Sequence, residues 1–265
     1  MKSFEIYDEI NKKTLGVLLY YEKDHTFVAE LKEDVDEWTA PFLFSGFVKK
    51  GIYTISREIS YLWVKERLIP SGRQNIGAIL STHKLREYSE IRLLEIAEGR
   101  CVQDSLCVRR IHSLPTFVIK RQRRNLTDCV ALADREILCI FADESIKKVD
   151  LDKFTEIAGI EKVMKNEALF LTCSISPGGY AATFNNSIDI PAYELYQSGK
   201  NIPLKYTDLK LLIKRNIVDT QEGCEIAGCS RQNLSYLVQK GLLTPLKENM
   251  KGNLYLKGDV QKNGW

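Results

Sequence analysis

Three consecutive side chains, Arg231, Gln232 and Asn233, each end in a head able to form two hydrogen bonds at once, the geometry that grips a base edge in the major groove. Ser235, Tyr236 and Lys240 follow close behind; hydroxyl, phenol and ammonium groups suit phosphate oxygens better than base edges. The chemistry on offer is binding of double-stranded DNA, with the triplet on bases and the rest on backbone. Bond-breaking chemistry finds less support. His25, His83 and His112 are isolated in sequence, without metal-ligand spacing or a nucleophile motif beside them. The seven cysteines, at positions 101, 107, 129, 139, 173, 224 and 229, include no C-x-x-C, so they read as buried, reduced thiols rather than zinc ligands. No phosphate loop, G-x-S-x-G or H-E-x-x-H occurs. Asp34 with Asp36 and Asp150 with Asp152 are paired acids of the kind a two-metal nuclease needs, yet turn and surface carboxylates are the commoner use of such pairs. The chain reads as a non-enzyme that calls for no cofactor and no metal.

The triplet needs an element to hold it. Asp219 or Thr220 can cap a first helix, with Glu222 completing a capping box and Gly228 as a left-handed stop. Ser230 can cap a second helix in which Leu234, Leu237 and Val238 share one face. The opposite face is then Arg231, Gln232, Asn233, Ser235, Tyr236, Gln239 and Lys240, with Gly241 as terminator. Beyond Pro245 the chain predicts a β-hairpin around Met250-Lys251-Gly252-Asn253, a basic wing beside the helix. Charge follows the same division. From Lys200 onward eleven Lys and Arg face six Asp and Glu, a surplus of five, so residues 1–199 carry −2 of the chain's net +3.

Residues 218–260 resemble the helix-turn-helix and wing of the MerR and excisionase superfamily, through Gly228, Ser230, Gly241, Leu243, Tyr255 and the Asp259-Val260 pair. The resemblance implies DNA reading by Arg231, Gln232, Asn233 and Tyr236, and backbone contacts from the wing near Lys251 and Asn253, where Tyr255 ends the second arm. The plainer alternative is a helical hairpin used for packing or protein contact, since helix-turn-helix patterns are degenerate.

Upstream, "DCVALADREILCIFADESIKKVDLDKF" from Asp128 gives three short apolar runs separated by turns, a β-meander. Two more strands divided by Pro177-Gly178-Gly179, and a short helix after Pro191, follow. This stretch resembles the bacterial domain of unknown function family 2442 (DUF2442), whose closing box is matched by Ile188, Asp189, Ile190, Leu195 and Tyr196, although Phe184 stands where that family often has Trp. The resemblance implies a non-enzymatic domain that accompanies helix-turn-helix modules. Asp189, just before a proline, reads as a helix cap rather than a catalytic acid. The run Lys120 to Arg124 reads as a solvated strand edge or loop, or alternatively as extra phosphate contact.

In the first hundred residues, "KKTLGVLLYYEKDHTFVAEL" predicts two strands around a Lys-Asp-His turn, "APFLFSGFVKKG" a helix closed by Gly51, and "EYSEIRLLEIAEG" a helix closed by Gly99. A further helix is expected to begin near Ser71, where Arg73, Gln74 and Asn75 repeat the triplet by chance.

A chain of 265 residues with 44% hydrophobic and 28% charged residues is ordinary globular material and long enough for more than one core, at about 100 to 200 residues per domain. No apolar run approaches the roughly 18 residues of a membrane span, and the N-terminal residues alternate charged and apolar groups, so a cytoplasmic protein without a membrane partner is expected. The composite expectation is an α+β chain of three parts: an α+β domain over 1–103, a β-rich domain over 104–200 and a winged helix-turn-helix over 201–265. Its function would be sequence-specific DNA binding as a homodimeric repressor or autoregulator. The alternative is a protein-interaction or antitoxin-like component that meets a protein partner through residues 1–200.

Overall fold

The computed structural model describes residues 1–200, 206–247 and 252–264. It divides into two compact units, Met1–Val118 and Ile119–Trp265. The class is α+β, as expected: antiparallel sheets with helices segregated from them.

The first unit contains strands β1 (Lys2–Asp8), β2 (Lys13–Tyr21) and β3 (Thr26–Leu31), helix α1 (Phe42–Val48), strand β4 (Thr54–Ile55), helices α2 (Arg57–Lys65), α3 (Ile76–Thr82) and α4 (Glu90–Ala97), and strand β5 (Leu106–Ile111). The strands form one antiparallel sheet in the order β4-β3-β2-β1-β5. Phe4, Ile6, Leu18, Tyr20 and Phe27 from the sheet share a core with Phe44, Trp63, Val64, Ile91 and Leu94 from the helices. The hairpin and the two glycine-closed helices lie where expected. Two boundaries do not. β5 pairs with β1 along its length, from Ser3↔Ile111 to Asp8↔Leu106, so the unit runs past 103. The helix expected near Ser71 starts at Ile76, because Pro70 to Asn75 is used up in turns (Arg73 N–H to Pro70 O, Ile76 N–H to Arg73 O).

Helix α5 (Thr116–Gln122) carries Lys120 and Arg121 in its last turn; the basic run is thus a helix end continued by Arg123 and Arg124, neither strand edge nor extended loop. The second unit contains β6 (Leu126–Ala131), β7 (Glu136–Phe141), β8 (Ile146–Asp150), short helices α6 (Ile160–Lys165) and α7 (Glu167–Phe170), β9 (Ser174–Ile175), β10 (Ala181–Phe184), β11 (Ile188–Pro191) and α8 (Ala192–Ser198). Then come α9 (Tyr206–Asn216), β12 (Ile217–Val218), α10 (Thr220–Ala227), α11 (Arg231–Gln239), β13 (Tyr255–Leu256) and α12 (Lys257–Lys262). The meander β6-β7-β8 is present in antiparallel register. Strand alternation gives it two apolar faces. Cys129, Ala131, Ile137, Cys139 and Phe141 pack with Phe170, Phe184, Ile190 and Leu195. Val130, Leu132 and Leu138 pack with Leu211 and Leu212 of α9.

That second face makes the expected division at 200/201 disappear. Helix α9 is seated on the meander by Leu211 and Leu212, by an Arg215 guanidinium that donates to the Ala131 carbonyl, and by Lys148, which pairs with Glu136 and lies 3.7 Å from Asp208. The C-terminal helices belong to one unit with the meander, so the described chain forms two units in place of three.

Asp189 is another correction. It lies in β11 opposite Thr183, and the N-cap of α8 is Pro191 with no side-chain cap bond; a residue whose backbone is committed to a strand ladder two positions earlier does not cap that helix. Of the closing box, Ile190 and Leu195 are core, and Tyr196 packs edge-on to Phe141 at 5.0 Å with its hydroxyl donating to Asp143.

Candidate nucleic-acid interface

Helices α10 and α11 form from their caps inward. Asp219 accepts from the N–H groups of Gln221 (2.7 Å) and Glu222 (2.9 Å), and Glu222 accepts from the Asp219 N–H (3.0 Å), a complete capping box for α10. Gly228 ends the helix at φ +62°, a backbone state that costs a glycine little. Two residues later Ser230 Oγ accepts from the Asn233 N–H at 3.3 Å and starts α11. Leu234 is fully buried in a small core with Val218, Leu243, Tyr255 and Val260, against which Leu237 and Val238 also pack. Gly241 closes α11 with φ +69°.

Holding Leu234 inward turns the other side of α11 outward. Arg231, Gln232, Asn233, Ser235, Tyr236, Gln239 and Lys240 are all exposed, and the Lys240 ammonium stands 5.5 Å from the Tyr236 ring centroid. Arg231, Gln232 and Ser235 make no side-chain hydrogen bond or ion pair among the described residues. A row of donors without protein acceptors is chemically free to meet phosphate and base edges.

The wing departs from expectation in two respects among the described residues. Lys251 lies outside the described residues. Among the described residues the arms approach through one bridge, Lys247↔Leu254, with Leu246 N–H on the Leu254 carbonyl at 2.6 Å, while β13 pairs with β12. Tyr255, counted with the contact residues, is only 2% exposed and belongs to the core; its ring supports Leu234 and cannot meet a ligand. Asn253 is half-buried, and its backbone is strapped to the start of α10: its N–H donates to Thr220 Oγ1 at 3.1 Å, and the same hydroxyl lies 3.4 Å from its carbonyl. The amide head of its side chain remains as the candidate contact.

Sequence reasoning missed the seat beneath this module. A bulge between Leu126 and Asp128 leaves Thr127 extra in β6, and α12 approaches there so closely that a Cβ on Gly258 would lie 2.1 Å from the Thr127 carbonyl. Asp128, buried, accepts from Asn216 Nδ2 at 2.6 Å, at the end of α9, and from the Gly258 N–H at 3.2 Å. Burial pushes this carboxyl above the usual range, against the opposing pull of the Asn216, Gly258 and Cys129 donors. No spacing rule announces a triad drawn from positions 128, 216 and 258; the faint signal is a lone acid within an apolar strand and a glycine in the first turn of a helix.

The paired acids and His25 each have partners in the fold. Asp34 pairs with Lys13 and Lys32, Asp36 holds a turn by accepting from Trp38 and Thr39, and Asp150 caps the 3-10 turn Leu151–Phe154. His25 Nδ1 lies 2.8 Å from the Tyr20 hydroxyl. No His, Cys, Asp and Glu cluster fit to hold a metal occurs among the described residues, nor is any helix there long and apolar enough to cross a membrane.

No protein-family model, curated protein or solved structure matches this chain.

Proposed function

We propose that this chain is a sequence-specific DNA-binding regulator that reads base edges with the first turn of α11. The observation that carries the reading is the division of one nine-residue helix: Leu234 is buried, while every group able to address a base or phosphate, from Arg231 to Lys240, faces out. Residues nearest the N-terminus of a recognition helix usually reach the bases, and Arg231, Gln232 and Asn233 occupy those positions. Ser235, Tyr236 and Lys240 lie further along, where phosphate contacts fix register. A single module of this size buries little DNA surface, so high-affinity binding calls for two copies on two half-sites; the reading includes a homodimer acting as a repressor or autoregulator on an inverted repeat.

The test is selection of bound fragments from random DNA by the full-length protein, beside Arg231→Ala, with affinity followed against salt. The expected result is one enriched inverted repeat, lost or blurred in the variant, and an affinity that falls steeply as salt rises. Failure of the wild-type chain to enrich any sequence overturns the proposal and leaves α11 as a packing or protein-contact helix.

A further inference from the structure

The first unit holds a cleft of about 280 Å³ whose lining is chemically unlike α11. Two large aromatic side chains at its edge are almost wholly exposed, Trp38 at 86% and Phe42 at 90%. Neither exposure is slack. Asp36 accepts from the Trp38 and Thr39 N–H groups (3.0 and 2.8 Å) and from the Thr39 hydroxyl, while Pro41 caps α1 so that Phe42 is its first residue. An exposed indole carried on a backbone already fixed by a turn brings less ordering cost to binding than one on a loose loop, which makes it an anchor.

Trp63, 1% exposed, also lines the cleft, and its indole nitrogen has no hydrogen-bond partner. A buried donor left unpaired costs stability until an acceptor arrives. The Trp63 ring is held by the Arg67 guanidinium, 4.0 Å from its centroid, which is itself paired with Asp104.

Charge decides the ligand class. The lining includes Asp8, Glu66 and Asp104 and no Lys, Arg or His. Asp104 is neutralised by Arg67, and Asp8 is occupied by Asn11 and Ser105, though it keeps its charge, since those hydrogen bonds hold its carboxyl below the usual range against the cost of burial. Glu66 is exposed with no ion-pair partner among the described residues. Aromatic faces beside uncompensated carboxylates attract cations, and the carboxylates repel the phosphates of nucleic acid. We propose that this cleft binds an arginine-bearing peptide segment of a partner protein. The guanidinium would stack on Trp38 and Phe42 and reach Glu66, and a backbone carbonyl of the segment would accept from Trp63. Arginine fits better than lysine because its planar head stacks on aromatic rings and is weakly hydrated.

The test uses the indole N–H resonances of the full-length, nitrogen-15-labelled chain, which has only three tryptophans. The probe is acetyl-Gly-Arg-Gly-amide, with acetyl-Gly-Gln-Gly-amide as its neutral counterpart. The expected result is saturable movement of the Trp38 and Trp63 signals with a millimolar dissociation constant for the arginine probe, and about tenfold weaker binding of the glutamine probe. Glu66→Gln should weaken the arginine probe about threefold, the scale of an exposed ion pair. Trp38→Ala should weaken it tenfold or more while leaving DNA binding and the free-state Trp63 signal unchanged, so this proposal and the DNA reading fail independently. Equal binding of the two probes would mean an apolar site without charge selection and overturns the proposal. So does a wild-type spectrum unmoved by the arginine probe at saturating concentration.

Discussion

The triplet Arg-Gln-Asn occurs twice in this chain, at 73–75 and at 231–233, and the two copies meet different fates. At the first, Arg73 and Gln74 lie in a turn, Asn75 is the N-cap of α3 without a side-chain cap bond, and no residue of α3 is buried. At the second, Ser230 supplies the cap, the triplet forms the first helical turn, and Leu234 beneath it is fully buried. Both triplets are exposed. Donor chemistry is therefore common to the two, and what distinguishes them is the seat: a capped turn locked to a core by a fully buried leucine holds three side chains in one fixed arrangement, whereas the same three precede a helix that only rests on its core through the partly buried Leu80.

The largest effect should come from removing the anchor. Leu234→Ala leaves a cavity in a core of few residues and should cost about 2–5 kcal/mol of unfolding free energy, against about 1 kcal/mol or less for Ile79→Ala on half-buried α3. Denaturant unfolding of both variants measures the gap, and equal losses would erase the contrast. The seat itself is next. Gly258→Ala forces a Cβ toward the Thr127 carbonyl and should destabilise the second unit by about 1–3 kcal/mol. At the same place Asp128 carries a pH signature. Its folded carboxyl is raised by burial, so its stabilising contribution is fully present below the unfolded carboxylate range and is lost as pH rises through the folded value. The stability of wild type relative to Asp128→Asn should thus decline from acid toward neutral pH; a gap that widens with pH would mean that the donors outweigh burial.

A comparable effect, read on DNA, separates the triplets by function. Arg231→Ala should cost about 1–3 kcal/mol on the preferred sequence and flatten discrimination, whereas Arg73→Ala should leave binding unchanged. Equal losses from both would place the contact surface elsewhere than α11.

What was legible from sequence follows from the range of the signals. Caps, glycine stops and strand alternation act within a few residues, so Asp219, Ser230, Gly228 and Gly241 mark the bounds of α10 and α11 correctly, and the apolar runs mark the strands of the meander. Long-range pairing leaves no such trace. The partnership of β5 with β1 spans about a hundred residues, so the 103 boundary fell inside a sheet. The apolar second face of β6 and β7 reads as ordinary strand alternation, and only α9 covering it joins the tail to the meander. Tyr255 shows the same limit within the site: an aromatic beside basic residues looks like a contact, and only the three-dimensional core shows that it faces Leu234.

The smallest expected effect is also the most direct probe of the comparison, because it touches one hydrogen bond. Ser230 Oγ satisfies the Asn233 N–H, and its removal should cost about 1 kcal/mol of stability. Asn75 occupies the same cap position in α3 but accepts no such bond, so Asn75→Ala should fall within about 0.5 kcal/mol of wild type. The cap also fixes where the first turn begins, so Ser230→Ala should lower affinity for the preferred DNA sequence more than for random DNA, as fraying disperses Arg231, Gln232 and Asn233. Competition binding on the two DNAs measures that ratio. An unchanged ratio alongside the stability loss would mean that the triplet reads DNA without needing its turn preformed, and the distinction between the two copies would then rest on Leu234 alone.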